Sequence, residues 1–88
     1  MKIALIGAGN VGYHLGLQFH AVNIQVTQVF SRKLENAQLL AQLIQSPAYS
    51  NLRDTKANAD VYILAVQDNA IGEVAETLAS AGLGEELI

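Results

Sequence analysis

The sequence predicts an α/β fold, a doubly wound parallel sheet lying between helices in a three-layer α/β/α arrangement. Three observations carry this. Apolar runs without polar alternation recur at Lys2 to Ile6 and Asp60 to Val66, as in parallel strands covered on both faces. Stretches with apolar residues at i, i+3, i+4 and i+7 alternate with the strands. A glycine-rich turn, Gly7-Ala8-Gly9-Asn10-Val11-Gly12, joins the first strand directly to the first helix.

The 88 residues make one small domain, and with 51% of them hydrophobic a core is available. The net charge of −3, without a basic patch, argues against nucleic acid as a partner. The chain has no Cys, so neither a disulfide frame nor thiolate chemistry is available. The first apolar run is broken too soon, by Gly7 and Asn10, for a signal peptide or a membrane span. A cytoplasmic protein with no membrane partner is expected.

Taken in order, strand one is Lys2 to Ile6 and the first helix Asn10 to His20, with Val11, Leu15 and Phe19 as its inward stripe. Gly16, costly in mid-helix, is explained by close packing against the sheet. Ile24 to Phe30 reads as strand two. Helix two runs from Leu34 to Gln45, with Ala37, Leu40, Ala41 and Ile44 inward, Ser31 as its cap and Ser46-Pro47 as its stop. Ala48 to Ser50 is a short third strand. Asn51 to Asn58 is a polar loop with room for one helical turn, and Asp60 to Val66 is a buried fourth strand. Ile71, Val74, Ala75 and Leu78 mark a third helix ending near Ser80, capped by Asp68 or Asn69 and closed by Gly82-Leu83-Gly84. Leu87-Ile88 reads as the start of a fifth strand, so the sequence is expected to be a fragment or one domain of a longer protein, truncated as that strand begins. Its uncovered apolar face predicts self-association of the fragment.

The glycine spacing is the Gly-x-Gly-x-x-Gly pattern in its meaningful context of buried strand, tight turn and helix. Gly7 allows the sharp turn, Gly9 leaves space for a pyrophosphate against the backbone, and Gly12 permits close packing of the helix on the first strand. The helix N-terminus offers unpaired N–H groups and the positive end of its dipole to phosphates. The rival interpretation is a glycine-rich turn that binds nothing.

At the end of strand two a dinucleotide-binding fold with NAD specificity places an acid for the ribose. This chain has Ser31-Arg32-Lys33 there, a hydroxyl and two cations, which suits a 2′-phosphate and hence NADP over NAD. The rival is a solvated Arg-Lys pair opening a helix. Ala65, Val66, Gln67 and Asp68 stand at the carboxyl end of strand four, where open α/β sheets bind ligands, and are assigned to the nicotinamide–ribose side. Capping by Asp68 or Asn69 is compatible with that role. Asp68 is a poor acid–base candidate, because a carboxylate facing helix amides stays ionised. His14 and His20 lack the neighbours for catalysis or metal binding, and Tyr13, Tyr49 and Tyr62 read as packing residues. No metal site and no catalytic residue are assigned.

Met-Lys-Ile-x-Leu-Ile-Gly-Ala-Gly-Asn-Val-Gly, Val-Phe-Ser-Arg and Ile-Leu-Ala-Val-x-Asp-x-x-Ile resemble the N-terminal Rossmann domain of a family of uncharacterised two-domain proteins. These are similar to deazaflavin-dependent NADP reductases, pyrroline-5-carboxylate reductases, and the 6-phosphogluconate and β-hydroxyacid dehydrogenases. The resemblance covers nearly the whole chain. It implies Gly7, Gly9, Asn10, Val11 and Gly12 at the pyrophosphate, Ser31 and Arg32 at the 2′-phosphate, and Ala65 to Asp68 beside the nicotinamide half. It also implies a helical C-terminal domain that supplies homodimer contacts and most substrate groups. The expected function is an NADP-binding domain of an oxidoreductase, transferring hydride to or from a small substrate, the fragment alone being inactive. A non-catalytic module that senses NADP(H) or binds a partner is the alternative. A methyltransferase-like domain is disfavoured by Gly12 and Arg32.

Overall fold

The computed structural model describes residues 1–83, the side chain of Asp68 excepted. In chain order the elements are β1 (Lys2–Ile6), α1 (Asn10–Ala21), β2 (Gln25–Phe30), α2 (Leu34–Ile44), β3 (Ala48–Tyr49), a 3-10 turn (Leu52–Asp54), β4 (Val61–Leu64) and α3 (Asp68–Ser80). The strands form one parallel sheet in the order β3-β2-β1-β4. The chain therefore starts in the middle, moves outward through β2 and β3, and crosses back to the other side of β1. That reversal between β1 and β4 is the topological switch point at which such sheets bind ligands. The fifth strand expected at Leu87-Ile88, and Gly84, lie outside the described residues.

Alternation along β1 divides its side chains between two layers, since successive residues of a strand point to opposite faces. Leu5 packs with Ala37, Leu40, Ala41 and Ile44 of α2, with Leu17 and Phe19 of α1 against them. Ala4 and Ile6 face the other way, to Tyr62 of β4 and Leu78 of α3. This is the expected three-layer arrangement. Strand β2 obeys the same alternation only after a shift. Ile3 is paired with Val26 but Ala4 with Gln28, so Thr27 is an extra residue on the β2 side. The bulge puts Val26 and Val29, three positions apart, into one cluster.

It also buries Gln28, which is 3% exposed. Its amide is satisfied: Nε2 donates to Lys56 O (2.8 Å) and Asn58 Oδ1 (2.7 Å), and Oε1 accepts from Lys56 N (3.1 Å). The hydroxyl of fully buried Tyr62 donates to the same Lys56 carbonyl at 2.8 Å. One loop turn thus meets the hydrogen-bonding needs of two core side chains, which an apolar environment would leave unpaired at a cost of about 1–3 kcal/mol each.

Several expected details differ. The inward face of α1 is Gly12 and Gly16, both buried, flanked by Tyr13, Leu17 and, as expected, Phe19; Val11 is 66% exposed. The close approach of glycine backbone outweighs the four-residue apolar spacing and turns the helix by about one position. Gly16 packs against α2 and not against the sheet, for a Cβ there would meet Leu40 Cδ2 at 2.8 Å. The N-cap positions of α2 and α3 are Lys33 and Gln67, neither with a side-chain capping bond, so Ser31 and Asn69 do not cap, and Asp68 stands one place later, as the first residue of α3. Helix α2 ends through Gln45 in the left-handed region, φ 57°, ahead of Ser46-Pro47. Strand β4 is shorter than the apolar run and only half-buried apart from Tyr62, because it pairs with β1 alone among the described strands. Ile71 is 39% exposed, leaving Val74, Ala75 and Leu78 to the inner side of α3.

Candidate functional site

At the carboxyl edge of the sheet, the backbone after β1 is held by its neighbours. Gly7 N–H donates to Phe30 O at 2.8 Å, and Ala65 N–H donates to Ile6 O at 2.8 Å. Gly7 has φ +121°, which L side chains rarely adopt, and a Cβ on it would run into the carbonyl of Ala65. A Cβ on Gly12 would overlap the carbonyl of Gly7 and touch Ala65 Cβ at 3.4 Å. Three segments, the turn after β1, the first turn of α1 and the end of β4, are stacked with no room for a side chain between them. Gly12 does press its helix inward as expected, but onto this turn and the end of β4.

Gly9 is different. It caps α1 with φ −73°, a conformation open to any residue, and nothing lies within 4 Å of where its Cβ would be. The space there is open on the side of the helix N-terminus. Neither strain nor crowding calls for glycine at this position; it is the N-cap of α1, where glycine is favoured over alanine, and it leaves the space above the helix terminus open.

That space belongs to a cleft of about 910 Å³, open to solvent along the sheet edge. Gly7, Ala8 and Gly9 line it from β1, Ser31, Arg32 and Lys33 from β2, and Ala65, Val66 and Gln67 from β4. Three separate stretches singled out in the sequence thus converge on one cavity. Asn10, Val11 and Gly12 do not line it. Asn10 and Val11 are exposed on the first turn of α1 and Gly12 is buried beneath it; their contribution to such a site is the helix terminus itself. Asp68 opens α3, and nothing further is described for its side chain.

Ser31 is buried, and its Oγ accepts from Lys33 N–H at 3.3 Å, so the hydroxyl shapes the turn that presents Arg32. Phe30 forms part of the cleft wall and meets the ring of Tyr49 at 5.5 Å. Burial pushes the Tyr49 hydroxyl up to about 12, partly offset by its bond to Thr55 Oγ1 at 2.8 Å. Tyr49 is thus a neutral packing and hydrogen-bonding group, as its sequence context suggests.

The cleft also has walls that sequence reasoning missed. Ser50, Asn51, Leu52 and Arg53 enter from the loop after β3, and Ala70, Glu73, Val74 and Thr77 from α3. The loop was legible as polar with one helical turn, which is the 3-10 turn Leu52–Asp54. No local signal announces that it folds back over the sheet edge; the short β3 does, once paired beside β2. Among the described residues no cluster of His, Asp or Glu is placed to hold a metal, and no helix is long and apolar enough to cross a membrane.

A family model described as NADP oxidoreductase coenzyme F420-dependent matches residues 2–88. No curated protein matches the chain. Among solved structures, a Bacteroides fragilis protein assigned as an NADP oxidoreductase is similar with a TM-score of 0.87 and 31% identity, over 98% of this chain and 33% of that one. Pyrroline-5-carboxylate reductase from Coxiella burnetii follows the fold with a TM-score of 0.79 and 26% identity, over 90% of this chain and 30% of that one. Myo-inositol dehydrogenase from Lactobacillus casei, solved with NAD(H) and myo-inositol, shares the fold at TM-score 0.80 but only 15% identity, over 91% of this chain and 25% of that one. The chain thus spans a third or less of the length of these proteins.

Proposed function

The chain belongs to the family of coenzyme F420-dependent NADP oxidoreductases, and we propose that it is the NADP(H)-holding part of an oxidoreductase that moves hydride between the nicotinamide and a small substrate. The observation that carries this is the convergence of Gly7-Ala8-Gly9 and Ser31-Arg32-Lys33 on a single cleft at the switch point of the sheet. The donor set fits a dinucleotide: open space over Gly9 receives the pyrophosphate at the α1 terminus, where amide groups and helix dipole favour an anion. Asn10, Val11 and Gly12 contribute that first turn. Arg32, Lys33 and Ser31 then meet the 2′-phosphate, the guanidinium in a two-point contact that a lysine cannot make. Ala65, Val66, Gln67 and Asp68 border the nicotinamide half.

The bound nicotinamide supplies the hydride chemistry. The residues described here bind and orient the dinucleotide and keep its pyrophosphate against the helix. A helical second domain, bringing dimer contacts and substrate groups, is part of the same proposal.

Calorimetric titration of the full-length protein with NADP and NAD tests this reading. Loss of a charge-assisted contact is worth about 1.5–3 kcal/mol, so Arg32→Glu is expected to weaken NADP binding by on the order of 10- to 150-fold and to spare NAD. A folded protein that binds neither nucleotide would refute it.

A further inference from the structure

We propose that Arg53 is a second specificity-determining residue, contacting the 2′-phosphate of the same dinucleotide from the β3 side; the inference rests on the NADP reading above. Arg32 and Arg53 reach one cleft from two neighbouring strands. Strands β2 and β3 are parallel, with Phe30 paired to Tyr49, so the chain leaves the sheet at the same level on both. Neighbouring strands lie about 4.8 Å apart, and the two exits are therefore side by side. The loop after β2 carries Arg32 and the loop after β3 carries Arg53.

Arg53 stands on an ordered turn. Asn51 Oδ1 accepts from Arg53 N–H at 3.1 Å, and Asn51 O accepts from Asp54 N–H at 2.9 Å. Thr55 Oγ1 donates to Leu52 O at 2.7 Å and meets the Tyr49 hydroxyl at 2.8 Å. Leu52 packs into the cluster around Phe30, Tyr62 and Leu78. The backbone under Arg53 is thus tied to β3 and to the core, and little of it remains to be ordered when a ligand arrives. The side chain is exposed at the cleft and has no share in the apolar core.

Two guanidinium groups in one cleft repel each other, and a dianionic phosphate offsets that repulsion. A 2′-phosphate monoester carries about −1.5 to −2 charges at neutral pH and three acceptor oxygens, enough for both arginines. Glu73 of α3 lines the same cleft and acts in opposition, as an anion beside an anion. Stacking of Arg53 on the adenine ring is the competing role. It differs in a measurable way, because the adenine is common to NAD and NADP and the 2′-phosphate is not.

The test is titration of full-length wild type, Arg53→Gln and Arg32→Gln with NADP and with NAD at fixed salt. Arg53→Gln is expected to weaken NADP by about tenfold or more, the loss of one charge-assisted contact, and to leave NAD unchanged. Equal weakening of both nucleotides overturns the proposal in favour of stacking. An unchanged NADP affinity in Arg53→Gln, beside a loss in Arg32→Gln, overturns it while the NADP reading stands. Failure of the wild type to bind either nucleotide removes both.

Discussion

Gly9 and Gly12 are three residues apart in one motif and do different work. Gly12 has the carbonyl of Gly7 where a Cβ would go, whereas Gly9 has open space. Gly12→Ala is accordingly expected to destabilise the protein by about 1–3 kcal/mol, the range of overpacking, since the obstacle is backbone and cannot rotate away. Gly9→Ala is expected to cost no more than about 1 kcal/mol, the disadvantage of alanine against glycine at an N-cap, since its φ of −73° suits alanine. The same substitution is expected to weaken dinucleotide binding by on the order of tenfold, as a methyl group fills the approach to the backbone. Denaturant midpoints and calorimetry on the two variants separate these effects. A Gly9→Ala variant that binds NADP as well as wild type would remove the pyrophosphate from this spot.

At the scale of elements, the hydroxyl pair Tyr49–Thr55 joins β3 to the 3-10 turn and has a pH signature. The Tyr49 phenol ionises near 10.0 in the unfolded chain and at about 12 in the folded one. As the pH rises the unfolded state gives up this proton first. The stability contributed is therefore whole below pH 10.0 and disappears as the pH climbs toward about 12. Tyr49→Phe is expected to flatten that part of the stability profile, read as the difference in urea midpoint between variant and wild type on either side of pH 10.0. How legible the elements were follows from where their determinants lie. Strand β1 and helix α2 were clear because apolar spacing and burial agree, with Ala37, Leu40, Ala41 and Ile44 all buried. Helix α1 was read correctly at Phe19 and wrongly at Val11, because the centre of its contact face is Gly12 and Gly16, which carry no hydrophobic signal. The caps of α2 and α3 were misplaced by position: Ser31 lies two residues before the N-cap Lys33 and accepts from its N–H, and α3 begins directly after Gln67, one residue earlier than a cap at Asp68 requires. The Gly7, Arg32 and Ala65 stretches were found from motif and position. Arg53 was not, since only the pairing of β3 beside β2 carries its loop to the cleft.

For the whole molecule the relevant quantity is charge. The chain carries a net charge of −3, yet Arg32, Lys33 and Arg53 gather at one cleft with Glu73 as the carboxylate seen among its described lining residues. The attraction for a phosphate is local and works against the overall sign. Charges at an exposed cleft are screened by salt, with a Debye length of about 10 Å at 0.1 M falling to about 3 Å at 1 M. The Kd for NADP is therefore expected to rise steeply with ionic strength and that for NAD to rise less, so that discrimination narrows as salt is added. Titrations across a sodium chloride series check this; parallel slopes would mean that the 2′-phosphate is not read by charge.

The stacked backbone of Gly7, Gly12 and Ala65 has a consequence for how a nucleotide arrives. A mobile phosphate loop must be caught in the right shape and stilled by its ligand, which slows capture and consumes part of the affinity. Here the turn is packed when the chain folds, with the Ala65 carbonyl against Gly7 and the Gly7 carbonyl against Gly12. On the proposed reading, encounter then becomes a matter of diffusion and orientation, and the dwell time of a nucleotide would be set at its far end, beside Arg32 and Arg53.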